Sequence, residues 1–139
     1  MTLLLAVALT AVLVACGGGD SNDGAGPTPS PTQTGRLSST AKVSIIEPTE
    51  GTVIQGTTVR VRIKLEGGRI IPEVSSNLKP DEGHIHLLLD GRVVQLLGSL
   101  DERIEDIAPG AHLLQVEFVA ADHGPFSPRV ISAVSFEAR

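Results

Sequence analysis

Two histidines lie two positions apart in the mostly apolar run DEGHIHLLLDGRVV, residues 81–94. In an extended strand, side chains two apart point to the same face, so His84 and His86 would project together from backbone positions about 7 Å apart. Metal–nitrogen bonds are only about 2.0–2.1 Å long, so two imidazoles on one face can converge on a single ion. This spacing predicts one side of a divalent-metal site.

Two further histidines, His112 and His123, complete the set of four in the chain. They are eleven positions apart, about 35 Å along a straight strand, so both can join His84 and His86 only if a bulge or a folded-back loop shortens that distance. We therefore expect a three-ligand site that uses His84, His86 and either His112 or His123. The only methionine is Met1, so the thioether ligands that select Cu(I) are lacking, and the expected ions are Cu(II) or Zn(II).

Each histidine also has a purely structural interpretation. His112 follows the Pro-Gly of IAPGAH, close to where some β-sandwiches place a tyrosine that hydrogen-bonds back across a corner. His123 lies in the turn-like sequence ADHG, where it would cap a loop. His84 and His86 would then lie on a solvated face and gain charge below about pH 6.5.

The sequence does not predict catalysis. Asp122, His123 and Ser127 carry the side chains of a triad, but no Gly-x-Ser-x-Gly elbow is present to position a nucleophile. The carboxylates of DERIED, residues 101–106, belong to a polar run that is typical of a solvated edge strand. We therefore expect that the protein is not an enzyme.

The N-terminal residues predict where the protein resides. Residues 3–15, LLLAVALTAVLVA, are too short for a membrane-spanning helix but suit the apolar core of a signal peptide. The run ends in LVAC, in which small residues precede Cys16, the only cysteine, in the pattern of a bacterial lipobox. We expect a signal peptide over residues 1–15 and a lipid on Cys16, which would anchor the protein to a membrane on its extracytoplasmic side. The alternative is a buried apolar helix in which the cysteine is incidental.

Residues 16–40 predict a tether between this lipid and a folded domain. From Gly17 to Gly35 the only apolar side chain besides proline is Ala25, so the segment cannot bury enough surface to fold, and its Gly, Ser and Pro content favours a flexible, partly extended chain. Residues 41–139 are enough for one small domain with a single core. The chain has 11 Lys and Arg against 16 Asp and Glu, with no Trp or Tyr, which argues against nucleic acid as a partner.

Apolar residues in the domain recur with a period of two. The segments TTVRVRIKLEG, AHLLQVEFVA and RVISAVSFEA alternate apolar and polar side chains, as strands with one buried face do. Turn sequences separate them, and Asp90-Gly91 is a strong signal for a two-residue hairpin. The pattern predicts an all-β fold, an Ig-like antiparallel β-sandwich of about seven strands.

The order of these segments resembles a family of small bacterial Ig-like domains that are secreted or lipid-anchored and largely uncharacterised in function. The resemblance covers nearly all of the domain and is most specific at GHIH (83–86), PGAH (109–112) and DH (122–123). Members of that family often carry further histidines where this chain has Ile85 and Gly124. The resemblance implies the fold and does not imply an activity.

Two functions are therefore expected. The first is a membrane-anchored, extracytoplasmic binding or structural module that contacts another component of the cell envelope. The alternative is an envelope metal-binding protein that holds Cu(II) or Zn(II) through histidines drawn from His84, His86, His112 and His123.

Overall fold

The computed structural model describes residues 35–139, so the predicted signal peptide, Cys16 and most of the predicted tether lie outside the described residues. Residues 35–139 form nine β-strands and no helix, and therefore no helix that could cross a membrane. The strands are β1 (Lys42–Glu47), β2 (Thr52–Ile54), β3 (Val59–Glu66), β4 (Arg69–Ile70), β5 (Glu82–Leu89), β6 (Arg92–Leu97), β7 (Asp101–Ile104), β8 (Gly110–Ala120) and β9 (Pro125–Ala138).

The strands form two sheets. One has the order β1-β3-β7, and the other has the order β2-β9-β8-β5-β4, with β6 also paired to β5. The long strands pair antiparallel, whereas the short strands β2 and β4 run parallel to β9 and β5. The predicted all-β, Ig-like sandwich is confirmed. The count of nine strands includes β2 and β4, which are only three and two residues long.

Aliphatic side chains build most of the core, as the scarcity of aromatic residues predicts. The alternating residues of β3 and β8 turn one face inward, and Val61, Leu114 and Val116 have no exposed surface. Burying such a side chain stabilises the fold by about 1.5–3 kcal/mol. Two of the three phenylalanines, Phe118 and Phe126, stack at a ring separation of 5.4 Å beside these residues.

The hairpin between β5 and β6 forms at the predicted place. Asp90 and Gly91 have φ angles of 51° and 79°, the positive values that a type I′ turn requires at both central residues. The side chain of Asp90 also joins this hairpin to β8, because its Oδ1 accepts a hydrogen bond from the Leu113 backbone N–H at 2.9 Å. The turn and this link support the pairing of β5 with β8.

A tight turn joins β8 to β9. The His123 N–H donates to the Ala120 carbonyl and the Ala120 N–H donates to the Gly124 carbonyl, both at 2.9 Å. His123 has a φ of 62°, in the left-handed region, where histidine is more common than most residues other than glycine. This conformation folds the turn back over the outer face of the second sheet.

The described chain contacts the domain from Arg36 onward, five residues before the boundary predicted at residue 41. The guanidinium of Arg36 donates to both carboxylate oxygens of Asp122 at 2.6 and 2.8 Å, and to the Pro125 carbonyl at 2.9 Å. The Leu37 carbonyl accepts a hydrogen bond from the Ser127 N–H at 2.9 Å, and the Leu37 side chain packs against the core. Residues 36 and 37 are therefore part of the folded unit.

Candidate functional site: a histidine cluster on the outer sheet face

The register of β5 against β8 places His84 and His86 on the outer face of the second sheet. Between and beside them, Ile85 and Leu87 point into the core and have no exposed surface. His84 lies opposite Val119 and His86 lies opposite Glu117 on β8. The shared face that the sequence predicts for the two histidines is confirmed, and it is the face that does not fill the core.

His123 joins these two residues from the β8–β9 turn. Its ring stacks on that of His84, with centroids 4.2 Å apart and planes 11° from parallel. Its Nδ1 lies 3.0 Å from Nε2 of His86, so one of these nitrogens donates a hydrogen bond and the other accepts it. At least the accepting ring is therefore neutral. Three of the four histidines of the chain form one cluster.

His84 acts as a buried platform in this cluster. His84 is only 7% exposed, and its Nε2–H donates a hydrogen bond to the Ala121 carbonyl at 3.2 Å. Because the lone pairs of an imidazole lie in the ring plane, the nearly parallel rings of His84 and His123 cannot both aim at one ion without a rotation. The rings of His86 and His123 are also close to parallel, at 21° with centroids 5.3 Å apart, but their nitrogens face each other across the hydrogen bond, so binding one ion would need a smaller rotation together with loss of the shared proton.

His112 lies apart from the cluster, at the other end of β8. It is seven positions before Val119, the residue opposite His84, which corresponds to about 23 Å along the strand. Its Nδ1–H donates to Oδ2 of Asp90 and its Nε2–H to the Ala108 carbonyl, both at 2.8 Å, and its ring stacks on Phe136. The structure therefore does not bring His112 together with His84 and His86, and its contacts are of the kind that its structural interpretation as a hydrogen bonder describes.

The two environments shift the histidine pKa values in opposite directions. Burial, and next the neighbouring His123, lower the pKa of His86, although the nearby Glu117 acts against this. The hydrogen bond to Asp90, and next that to Ala108, raise the pKa of His112, because both of its ring nitrogens donate only when the ring is protonated. The neutral form, which a metal ligand needs, is thus favoured at His86, and the charged form is favoured at His112.

A pocket of about 540 Å³ opens beside the cluster. His84 and His123 form its polar wall. The rest is mostly apolar and comes from the β4 region and from the end of β6: Ile70, Ile71, Pro72, Leu96, Leu97 and Gly98. A concave, largely apolar surface with a few convergent polar groups is the usual form of a ligand site.

Sequence reasoning missed Glu117 and Arg129, which border the cluster. The alternation of β8 placed Glu117 on the polar face, which suggested solvent, but the residue is only 4% exposed. Arg129 donates to both of its carboxylate oxygens, at 2.7 and 2.5 Å. The local sequence does not identify this pair. Arg129 lies in residues 126–129, which have no partners in the β8–β9 ladder, and it contacts Glu117 from there.

The other predicted polar groups are used elsewhere. Asp122 is bound by Arg36, which together with the Gly124 N–H holds the pKa of its carboxyl far below the usual range. Within residues 35–139, no three His, Cys, Asp or Glu side chains are already arranged around one point as metal ligands.

The comparisons with known proteins concern the fold. The chain is similar to fibronectin(III)-like modules of Clostridium thermocellum CbhA, with 14% identity, a TM-score of 0.44, and coverage of 70% of this chain and 95% of that one. It is also similar to the PKD domain of human KIAA0319, with 12% identity, a TM-score of 0.45, and coverage of 82% and 92%. No protein-family model and no curated protein matches the chain.

Proposed function

We propose that this chain is a lipid-anchored binding module on the extracytoplasmic side of a bacterial membrane, and that it contacts another component of the cell envelope. The pocket beside the histidine cluster is the observation that carries the binding role, because it joins an apolar wall to polar groups that the core does not need. The LVAC sequence and the apolar-poor residues that follow support the anchor. An Ig-like sandwich on such a tether suits a binding or structural role.

The anchor is tested at Cys16. In bacteria fed with labelled fatty acid, the protein should carry the label and fractionate with membranes, and its mature form should begin at residue 16. Cys16→Ser should lose the label, whereas Ser30→Ala, a change in the same tether, should keep it. A Cys16→Ser protein of unchanged mass that still fractionated with membranes would show that the lipid assignment is wrong.

A second candidate function is favoured by one distance in the cluster. Two nitrogens bound to the same ion at 2.0–2.1 Å, with an angle between a right angle and a tetrahedral one, are about 2.9–3.4 Å apart. Nε2 of His86 and Nδ1 of His123 are 3.0 Å apart. This hydrogen-bonded pair therefore also has the spacing of two ligands of one ion, which would replace the shared proton, and we propose that it binds Cu(II) or Zn(II).

Calorimetry with each metal tests this second function. Purified protein should bind either ion more tightly than the millimolar range, and the affinity should fall as the pH drops through about 6, because protonated imidazoles do not bind metal. His86→Ala and His123→Asn should abolish binding, since asparagine tolerates the left-handed conformation at position 123. His112→Ala is the matched control and should bind as the unmodified protein does. Equal losses in all three variants would contradict the assignment.

A further inference from the structure

Glu117 is a buried carboxylate beside the proposed metal-binding pair. It is 4% exposed, and with His84 it is one of two buried polar side chains in residues 35–139. It lies directly opposite His86 in the β5–β8 ladder, on the same face of the sheet. Cβ atoms of such cross-strand neighbours are about 4.5–5.5 Å apart, so a carboxylate at position 117 can reach an ion held by His86.

The partner of Glu117 is held on the solvent side. Arg129 covers both carboxylate oxygens, yet 55% of its own side chain is exposed, against 6% for that of Glu117. Arg129 lies on residues that have no partners in the strand ladder, so its side chain can turn into water at little cost. The carboxylate of Glu117 is buried and therefore always needs a positively charged partner. A cation that arrives from solvent can therefore replace the guanidinium.

We propose that Glu117 is the third ligand of the divalent ion bound by His86 and His123, and that Arg129 releases it when the ion binds. The proposal rests on the metal-binding function proposed above. It adds Glu117 as a ligand and the replacement of Arg129 by the metal ion as the partner of that carboxylate. Two imidazoles and one carboxylate form a ligand set that suits Zn(II) and leaves a fourth position for water or for a group from the pocket. In the described residues His86, His123 and Glu117 do not form a ready three-ligand arrangement, so the proposal requires Glu117 to turn away from Arg129, which both of its oxygens now face.

Charge decides the direction of the expected effects. Arg129 neutralises Glu117 and repels an incoming dication, so it competes with the metal for the same carboxylate. Removing this arginine should tighten metal binding, whereas removing the carboxylate charge should weaken it. Charges that lay near the ion without binding it would give the same two signs, so the ligand role of Glu117 is decided by the spectroscopic readout below.

Calorimetric titration of the detergent-extracted, full-length protein with Zn(II) tests the exchange. We expect Glu117→Gln to weaken binding at least about tenfold and Arg129→Gln to tighten it several-fold. The matched control is the exposed pair of Glu137 and Arg139, in which the guanidinium also donates two hydrogen bonds to one carboxylate. Glu137→Gln and Arg139→Gln should bind Zn(II) as the unmodified protein does. Circular dichroism on each variant ensures that a folded protein is compared.

Cu(II) at saturation supplies a second readout that does not depend on affinity. The electron paramagnetic resonance spectrum of Glu117→Gln should differ from that of the unmodified protein, because an oxygen ligand is lost, whereas the spectrum of Arg129→Gln should not. Binding that His86→Ala removes but that neither Glu117→Gln nor Arg129→Gln alters would overturn this inference and leave the histidine site standing. An unmodified protein that binds no metal would instead overturn the metal-binding function itself.

Discussion

The carbonyl oxygen of Val119 occupies the space that a side chain on Gly83 would need. A Cβ at position 83 would lie 1.8 Å from that oxygen and 2.9 Å from its carbonyl carbon. Gly83 pairs with Ala120 across the β5–β8 ladder, one position before His84. The glycine that begins GHIH therefore allows the two strands to approach at the point where the cluster is built.

Replacing Gly83 with alanine should destabilise the domain strongly. The clash is with backbone rather than with a movable side chain, so β5 and β8 must separate, at a cost of about 3 kcal/mol. Urea unfolding of Gly83→Ala measures this cost. Gly98→Ala is the control, because nothing lies within 4 Å of a Cβ there, and it should change the stability little. Equal stability of the two variants would contradict the account of Gly83.

The start of the folded unit can be tested by truncation. Proteins that begin at residue 36 and at residue 41 should both show a β-type circular dichroism spectrum and cooperative melting. The shorter one should be less stable by about 2 kcal/mol, because it lacks the partly buried Leu37 and the pairing of Arg36 with Asp122. Identical melting of the two proteins would place the boundary at residue 41 after all.

His112 and His86 should affect stability with opposite pH dependence. The pKa of His112 is raised above 6.5, so its contribution is fully present below that pH and is lost as the pH rises through the raised value. His112→Gln should therefore cost about 1–2 kcal/mol at pH 5 and less at pH 9. The pKa of His86 is lowered, so its contribution is present above 6.5 and declines as the pH falls.

Urea unfolding of His112→Gln and His86→Gln at pH 5 and pH 9 measures whether the two stability changes depend on pH in opposite directions. Each variant serves as the control for the other, since both remove one imidazole. A stability difference for His112→Gln that grew towards pH 9 would show that the Asp90 contact does not hold the ring charged.

The pairing of Arg36 with Asp122 should stabilise the protein at neutral pH and fade in acid. Because the guanidinium lowers the pKa of Asp122 from its ordinary value of 3.8, the stabilisation is present above that value and is lost progressively below it. We expect Asp122→Asn to cost about 1 kcal/mol at pH 7, since the pair is partly exposed. Glu73→Gln removes an exposed carboxylate as a control and should cost less at pH 7. A loss for Asp122→Asn that did not shrink in strong acid would count against the ion pair.

Local pattern was enough to predict the fold class and the orientation of the first two histidines. A period of two assigns alternate residues to opposite faces, so Ile85 and Leu87 in the core place His84 and His86 outside. The conformational demands of Asp90-Gly91 are equally local, because they depend on two φ angles. Such features follow from neighbours in the chain.

Only the tertiary structure decided which histidine joins that pair and which acidic residue lies beside it. His123 reaches His86 across 37 positions because a left-handed residue folds the β8–β9 turn back, whereas His112 is held at the far end of β8 by Asp90. The burial of Glu117 depends on Arg129, which returns from a segment outside the strand ladder. Periodicity specifies which face a side chain takes, but the path of a turn and the register between distant strands are set by packing and hydrogen bonds that the linear sequence does not display.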